Sequence, residues 1–318
     1  MIIRIGYVSQ ALHLWEATPA STVTLSRWKA MSPSERKDKL HQAVEKNLTN
    51  TIRMLHYNAA QEIKLFRFSS ALVPLATHKE AAWDYITPFK DLYKEIGSLV
   101  KQHEIRPSFH PNQFTLFTSD KPEVTDNAVK DMEYHYEMTK AMGIEKDTYI
   151  NLHVGGAYGN KKAAVERFHE NIQSLPSPIK KQMTLENDDK TYTTSEVLDI
   201  CEKEDIPLMF DYHHFAANNS SDEELSTILP RFFKTWDRTG LPPKIHASSP
   251  KSDKEFRSHA DYVDAAFLEP MMKELRKLKT PVDFMVEAKA KDRAALQLTE
   301  DLSTVRGVKR IAAATLKL

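Results

Sequence analysis

MTLENDDKTYTTSEVLDICEKEDIPLMFDYHH, residues 183–214, reads as one strand–helix–strand unit. Met183 to Leu185 is a short apolar run. Thr193 and Glu196 have the spacing of a capping box, in which a hydroxyl and a carboxylate each satisfy a backbone N–H at the start of a helix. Val197, Leu198, Ile200 and Cys201 give that helix an apolar side, and Leu208 to Phe210 forms a second short run. Each run leads into an acid, Glu186 and then Asp211, and the second continues to His213 and His214. Strands joined through a helix lie parallel in one sheet, so repetition of such a unit predicts an α/β fold.

The repetition extends along the whole chain. Further β-rich runs are Ile2 to Val8, Leu65 to Phe68, Arg106 to Phe109, Tyr149 to Leu152, Lys244 to Ile245 and Asp283 to Val286. Between them lie helical stripes with apolar residues three and four apart: Leu40, Val44, Leu48, Ile52 and Leu55; Ile86, Phe89, Tyr93, Ile96 and Val100; Leu225, Ile228, Leu229, Phe232 and Trp236. Ser221 and Glu224 suggest a second capping box. Eight such runs with intervening helices predict a single (β/α)8 TIM barrel over residues 1–318, without linker, repeat or low-complexity tract. Two segments, Ser9 to Arg36 and Ala247 to Ala260, are too long for ordinary loops and are expected to carry function.

The bulk composition narrows the partners. With 318 residues, 41% of them hydrophobic, the chain can bury a large core. Lys+Arg and Asp+Glu both number 44, so no global positive field draws it to nucleic acid, and any DNA contact must come from a local patch or from bound metal. One cysteine, Cys201, excludes a disulfide framework and reads as a buried thiol in a reducing compartment. The opening MIIRIGYVSQ has no leader pattern and no stretch is apolar enough to span a membrane, so a cytoplasmic protein acting as a monomer is expected.

In a (β/α)8 barrel the active site forms where the strands end at their C-terminal side. His110, His153, Glu186, Asp211, His246 and Glu287 follow six of the eight runs, with His213 and His214 just beyond Asp211. With 13 His in the chain, eight such slots would hold roughly 0.3 His by chance. A single histidine there is ordinarily a satisfied, half-buried ring. Six ligand-type groups converging on one mouth need positive charge among them, because unpaired buried carboxylates cost several kcal/mol each. Imidazole and carboxylate without thiolate suit Zn²⁺, Mn²⁺ or Fe²⁺ better than Mg²⁺ or Ca²⁺. The size of the set argues for two or three metals, with Glu186 as the bridging carboxylate.

These residues fall within longer segments: IRIGYVS, RFSSALVPLATH, FHPNQFTL, NLHVGG, LENDD, PLMFDYHH, KIHASSPK, SHADY and FMVEAKAKD. In this order, and over nearly the whole chain, they resemble the UV damage endonucleases, a family related in fold to AP endonucleases of the endonuclease IV type. The resemblance implies a DNA repair endonuclease that uses Mn²⁺, with Zn²⁺ or Fe²⁺ as alternatives. It would nick damaged double-stranded DNA on the 5′ side of ultraviolet photoproducts, in the cytoplasm and on the nucleoid of a prokaryote.

By the same resemblance, His110 and His153 bind one metal shared through Glu186, and Asp211, His246 and Glu287 bind a second. His214 and His259 bind a third with His78 close by, while His213 is a neighbour of the ligands. Lys244 matches a position that can carry a carboxylated lysine, the alternative being an ordinary lysine paired with a site carboxylate. Gln113 and Phe114, with Asn112 before them, match a pair inserted into the duplex at the lesion, where Phe stands in place of a common Tyr. Phe keeps the stacking surface and loses the hydroxyl. Tyr7 matches a further probing position, or else packs at the barrel mouth.

Damaged dinucleotides stack poorly, so extruding them costs less than extruding normal bases. Arg27, Lys29, Lys161, Lys162, Lys251 and Lys254 are available to hold phosphates. Competing readings are an AP endonuclease, with the same metals but a different probe, and a sugar isomerase or epimerase, with a small closed pocket and no DNA contacts.

Overall fold

The computed structural model describes residues 1–219 and 223–318. The barrel strands are β1 (Ile2–Val8), β2 (Leu65–Arg67), β3 (Arg106–Phe109), β4 (Tyr149–His153), β5 (Met183–Glu186), β6 (Leu208–Asp211), β7 (Lys244–Ala247) and β8 (Val282–Val286). The helices are α1 (Leu25–Lys29), α2 (Pro33–Ala60), α3 (Lys90–Gln102), α4 (Pro122–Met142), α5 (Lys161–Asn171), α6 (Ser177–Lys180), α7 (Thr194–Glu204), α8 (Tyr212–Ala217), α9 (Leu225–Thr235), α10 (Glu269–Leu278) and α11 (Lys291–Ser303). Each barrel strand pairs in parallel with the next, and β1 closes the ring by pairing with β8 at Ile3↔Val282 through Tyr7↔Val286 and with β2 at Tyr7↔Phe66. Closure brings β1 so near β2 that a Cβ on Gly6 would lie 2.0 Å from the Leu65 carbonyl oxygen, so no larger residue fits there.

Helix formation follows the expected local rules. Both members of the Thr193–Glu196 capping box are present at α7, and an unpredicted one, Ser32 with Glu35, starts α2. Ser221 of the other expected box lies outside the described residues. The α2 stripe from Leu40 to Leu55 is buried, as are Phe89, Tyr93, Ile96 and Val100 of the second stripe and Ile228, Leu229, Phe232 and Trp236 of the third. Each fully buried large apolar side chain contributes about 1.5–3 kcal/mol relative to exposure.

Three features depart from the sequence expectation. Ser9 to Arg36 is not one loop, because α1 and the start of α2 lie within it. A third long connection, residues 68–86, follows β2. A C-terminal hairpin, β9 (Lys309–Ala312) and β10 (Thr315–Lys317), adds antiparallel to β1 at Ile2↔Lys317, below the point where β2 begins to pair. Its strands are short and β9 is largely exposed, so neither carries an apolar alternation that a sequence reading could detect.

Side chains two apart on a strand share a face, and this sets the contents of the barrel. Arg4 of β1 meets Asp283 of β8, which also receives Arg106 of β3. Lys244 of β7 is buried in the same layer and pairs in register with Asp283. Two residues further along these and neighbouring strands come His246, His153, Glu186 and Asp211.

Candidate metal centre

The ligand-type residues are the last residues of their strands or follow them directly. His153, Glu186 and Asp211 end β4, β5 and β6, His246 is the next-to-last residue of β7, and His110 and Glu287 come immediately after β3 and β8. Glu186 stands at the centre and is 1% exposed. Its Oε2 lies 3.1 Å from His110 Nε2 and 4.0 Å from His153 Nε2. Its Oε1 lies 3.1 Å from His246 Nδ1 and 3.4 Å from His214 Nδ1. His246 Nδ1 is also 3.8 Å from Asp211 Oδ2 and 3.2 Å from Glu287 Oε1. Two triads capable of holding an ion result, His110–His153–Glu186 and Glu186–Asp211–His246, and they share the glutamate.

The electrostatics follow from that packing. Burial acts to raise the Glu186 carboxyl, but His246, His153 and His110 outweigh it and hold the group well below the usual carboxylate range. Glu287 is likewise lowered, with burial opposed by Arg67 and His246. Burial would depress His214, yet Asp211 and Glu186 push it up to about 9. His246 also rises, because Glu186 and Glu287 overcome its burial. His110 is lowered by burial, with Glu186 only partly compensating.

The donor set fits divalent cations. Asp211 Oδ2 is buried without a hydrogen-bond partner, and a buried unpaired acceptor costs about 1–3 kcal/mol. The His110 Nδ1 contact with the Pro111 carbonyl, 3.0 Å, uses that nitrogen as donor and leaves Nε2 as the lone-pair side facing Glu186.

The structure also sorts the remaining expected residues. His214 stands in the cluster, and the His259 ring lies 6.2 Å from that of His214, held by the Pro250↔His259 bridge. His213 is excluded as a ligand because Nδ1 meets Ser248 Oγ and Nε2 meets the Phe256 carbonyl. Among the described contacts none joins His78 to the cluster: its Nδ1 accepts from the Glu80 amide, and its side chain lines a surface cavity with Lys79, Tyr85 and Glu133.

Tyr7 is a correction. It is fully buried, its hydroxyl donates to Asn58 of α2 at 2.7 Å and its ring packs on Phe66, because alternation along β1 sends Ile3, Ile5 and Tyr7 outward toward the helices. A buried ring on the helix side is neither a probe nor a mouth residue. Lys244 departs from the paired-lysine alternative. Its ammonium makes no ion pair among the described residues, and burial, reinforced by Arg106, pushes it well below the ordinary lysine range.

Phe114 is 72% exposed, four residues past His110, and Gln113 and Asn112 are exposed beside it. Asn112 Oδ1 accepts from the Phe114 amide at 2.9 Å, so this side chain shapes the turn that displays its neighbours. Of the proposed phosphate contacts, Lys29, Lys161 and Lys251 are in exposed ion pairs with Glu80, Glu196 and Glu255.

Three positioning residues escaped the sequence reading. Asn151 donates to Glu186 Oε2, Arg67 pairs with Glu287, and Asn187 clasps the Asp211 backbone through both its amide atoms at 2.8 and 2.9 Å. Their signal was positional: Asn151 lies two before His153 on the same strand face, and Asn187 follows Glu186 directly.

Residues 3–318 match the UV-endonuclease UvdE family. The chain belongs to that family. It is 58% identical to a protein of Bacillus mycoides (strain KBAB4) named UV DNA damage endonuclease, over 317 residues and the full length of both chains. A protein of the same name from Bacillus velezensis (strain DSM 23117 / BGSC 10A6 / LMG 26770 / FZB42) is 57% identical, covering 100% of this chain and 99% of its own. Among solved structures the crystal structure of SacUVDE superposes with a TM-score of 0.84 at 29% identity, covering 95% of this chain and 100% of that one. Endonuclease IV from Thermus thermophilus shares the fold with a TM-score of 0.50, 12% identity and coverage of 74% and 87%. No helix among the described residues is long and apolar enough to cross a membrane.

Proposed function

We propose that this member of the UvdE family is a metal-dependent endonuclease that nicks damaged double-stranded DNA 5′ of ultraviolet photoproducts by hydrolysis at two or three divalent ions, Mn²⁺ foremost. The observation that carries the reading is Glu186, a buried carboxylate shared by two ligand triads, with the exposed Phe114 displayed one loop away at the same mouth. Relatives that cover the full chain are named UV DNA damage endonuclease, which supports the damaged-DNA part of this reading.

Divalent ions held here would activate a water and stabilise the oxygen leaving phosphorus. The chain's own residues prepare that site. Asn151 orients Glu186, Arg67 holds Glu287, and Asn187 fixes Asp211, so the ligand oxygens need little reorganisation on binding. Arg106 Nε and Nη2 are buried donors without partners in the layer that holds Lys244. A carbamate on Lys244 would supply negative charge and acceptors there, which favours the carboxylated lysine. Phe114 offers an apolar face to wedge where a lesion has weakened stacking, with Gln113 beside it.

The barrel itself does not choose between reaction classes, since L-ribulose 3-epimerase shares it with a TM-score of 0.52 at 14% identity. The test is a nicking assay on duplexes bearing a photoproduct, an abasic site or no damage, with Mn²⁺ or EDTA, comparing wild type with Glu186→Gln. Metal-dependent cutting 5′ of the photoproduct, lost in the variant, is expected. Cutting only at the abasic site would make the protein an AP endonuclease, and no cutting of any duplex would overturn the nuclease reading.

A further inference from the structure

Among the described residues the exposed large hydrophobic side chains divide by location. The four aromatic ones are Trp15, Phe114, Tyr158 and Tyr262. They lie on the connections after β1, β3, β4 and β7, all at the end of the barrel that holds the metal ligands. The two aliphatic ones, Val305 and Ile311, follow α11 at the opposite end. A scattered surface would not segregate in this way.

Trp15 is the most exposed of the six, at 82%, yet its backbone is firmly held. Arg53 of α2 donates to the Trp15 carbonyl at 2.8 Å and the Glu16 carbonyl at 3.3 Å. The buried Asp292 accepts from the Leu12 amide and holds His13 Nδ1, each at 2.6 Å, and Arg293 donates to the Leu12 carbonyl at 3.0 Å. Glu16, with φ +49°, turns the chain immediately after the indole. A large apolar ring is therefore displayed on a pinned loop flanked by Arg53 and Arg293, exposed residues whose guanidinium groups hold the loop and keep further N–H donors. A pinned backbone lowers the entropic cost of ordering the loop on binding, and the arginines match a phosphate backbone.

We infer that Trp15 is a second DNA-contacting aromatic, which stacks on a base of the duplex laid across the mouth while Arg53 and Arg293 face the adjoining phosphates. The inference rests on the endonuclease reading above and adds a contact outside the Gln113–Phe114 turn. An indole accepts any base by stacking, so the contact adds affinity with little sequence preference.

Fluorescence tests it directly, because Trp28 and Trp236 are buried and Trp83 is half-buried, leaving Trp15 as the tryptophan open to an ionic quencher. The metal-loaded full chain is mixed with a photoproduct duplex carrying methylphosphonate linkages on both sides of the lesion to block hydrolysis. Binding is followed by anisotropy of a dye on the DNA. Shielding of the tryptophan from iodide is expected on binding, with about ten-fold weaker affinity for Trp15→Ala, near wild-type affinity for Trp15→Phe, and unchanged melting temperature for both. Unaltered iodide quenching in the bound complex, or wild-type affinity of Trp15→Ala, overturns the inference while leaving the endonuclease reading intact. Absence of duplex binding by the wild type overturns both.

Discussion

Two buried charged clusters share this barrel, one residue pair apart along the strands. In the lower one Asp283 is satisfied on both oxygens, by Arg4 at 2.7 and 2.6 Å and by Arg106 at 2.6 Å. Its leftover groups are donors, Arg106 Nε and Nη2. In the upper one carboxylates and imidazoles crowd around Glu186, and Asp211 keeps an unpaired oxygen. Burial alone does not separate a structural cluster from a ligand site, since both are buried. The sign of what remains unpaired does: surplus acceptors facing one point call for a cation, whereas an acid clasped by two arginines holds strands together.

The largest effect should come from the upper cluster. Glu186→Gln removes the shared ligand and should reduce metal-dependent nicking by about 10³-fold or more, with loss of bound metal measured by elemental analysis. Its melting temperature without metal should fall far less than that of a lower-cluster variant. Asp283→Asn is that variant: it leaves the buried Arg106 and the half-buried Arg4 without their counter-charge and should cost about 3–5 kcal/mol in a denaturant melt. If Glu186→Gln proves the more destabilising of the two, the contrast fails.

A pH titration sharpens the same contrast. His214, pushed up to about 9 by Asp211 and Glu186 against its burial, is protonated at neutral pH in the metal-free protein. Metal must displace that proton, so affinity should climb as pH rises toward about 9 and then level off. Calorimetry in buffers of different ionisation enthalpy should detect proton release on Mn²⁺ binding at neutral pH. Because the folded value lies above the ordinary 6.5, the ion pairs of His214 stabilise the metal-free fold fully below 6.5 and cease to do so as pH rises through about 9. Affinity independent of pH across this window would show that His214 is no ligand.

Smaller effects belong to the rim and the wall. Phe114→Ala should lower the preference for photoproduct over undamaged duplex about ten-fold at unchanged stability, since stacking contributes about 1–3 kcal/mol per base. Tyr7→Phe should lose only the hydrogen bond to Asn58, about 1 kcal/mol of stability, and leave lesion preference as it was. A change in lesion preference would return Tyr7 to the probing group.

The convergence of the candidate ligands was legible because each is a local feature, a His, Asp or Glu where an apolar run stops, and a barrel converts that local position into a shared location. The helical stripes and the Thr193–Glu196 box were legible for the same reason, as they depend on spacings of three and four. Tyr7 misled because two positions near a strand end face opposite sides of the sheet, and a one-residue difference separates the mouth from the helix layer. His78 carried no better signal, since it lies deep in a long connection whose path no periodicity constrains.

The sequence by itself thus determined the alternation of strands and helices, the kinds of candidate metal ligand and the strands that bear them. Only the tertiary structure decided that Asn151 donates to Glu186, that Arg4 and Arg106 meet on Asp283 across the ring, and that Trp15 is displayed on a pinned loop. The physical reason is range: hydrogen-bonding period and capping act over a few residues, whereas distances across a barrel are set by strand closure and register among segments far apart in the chain.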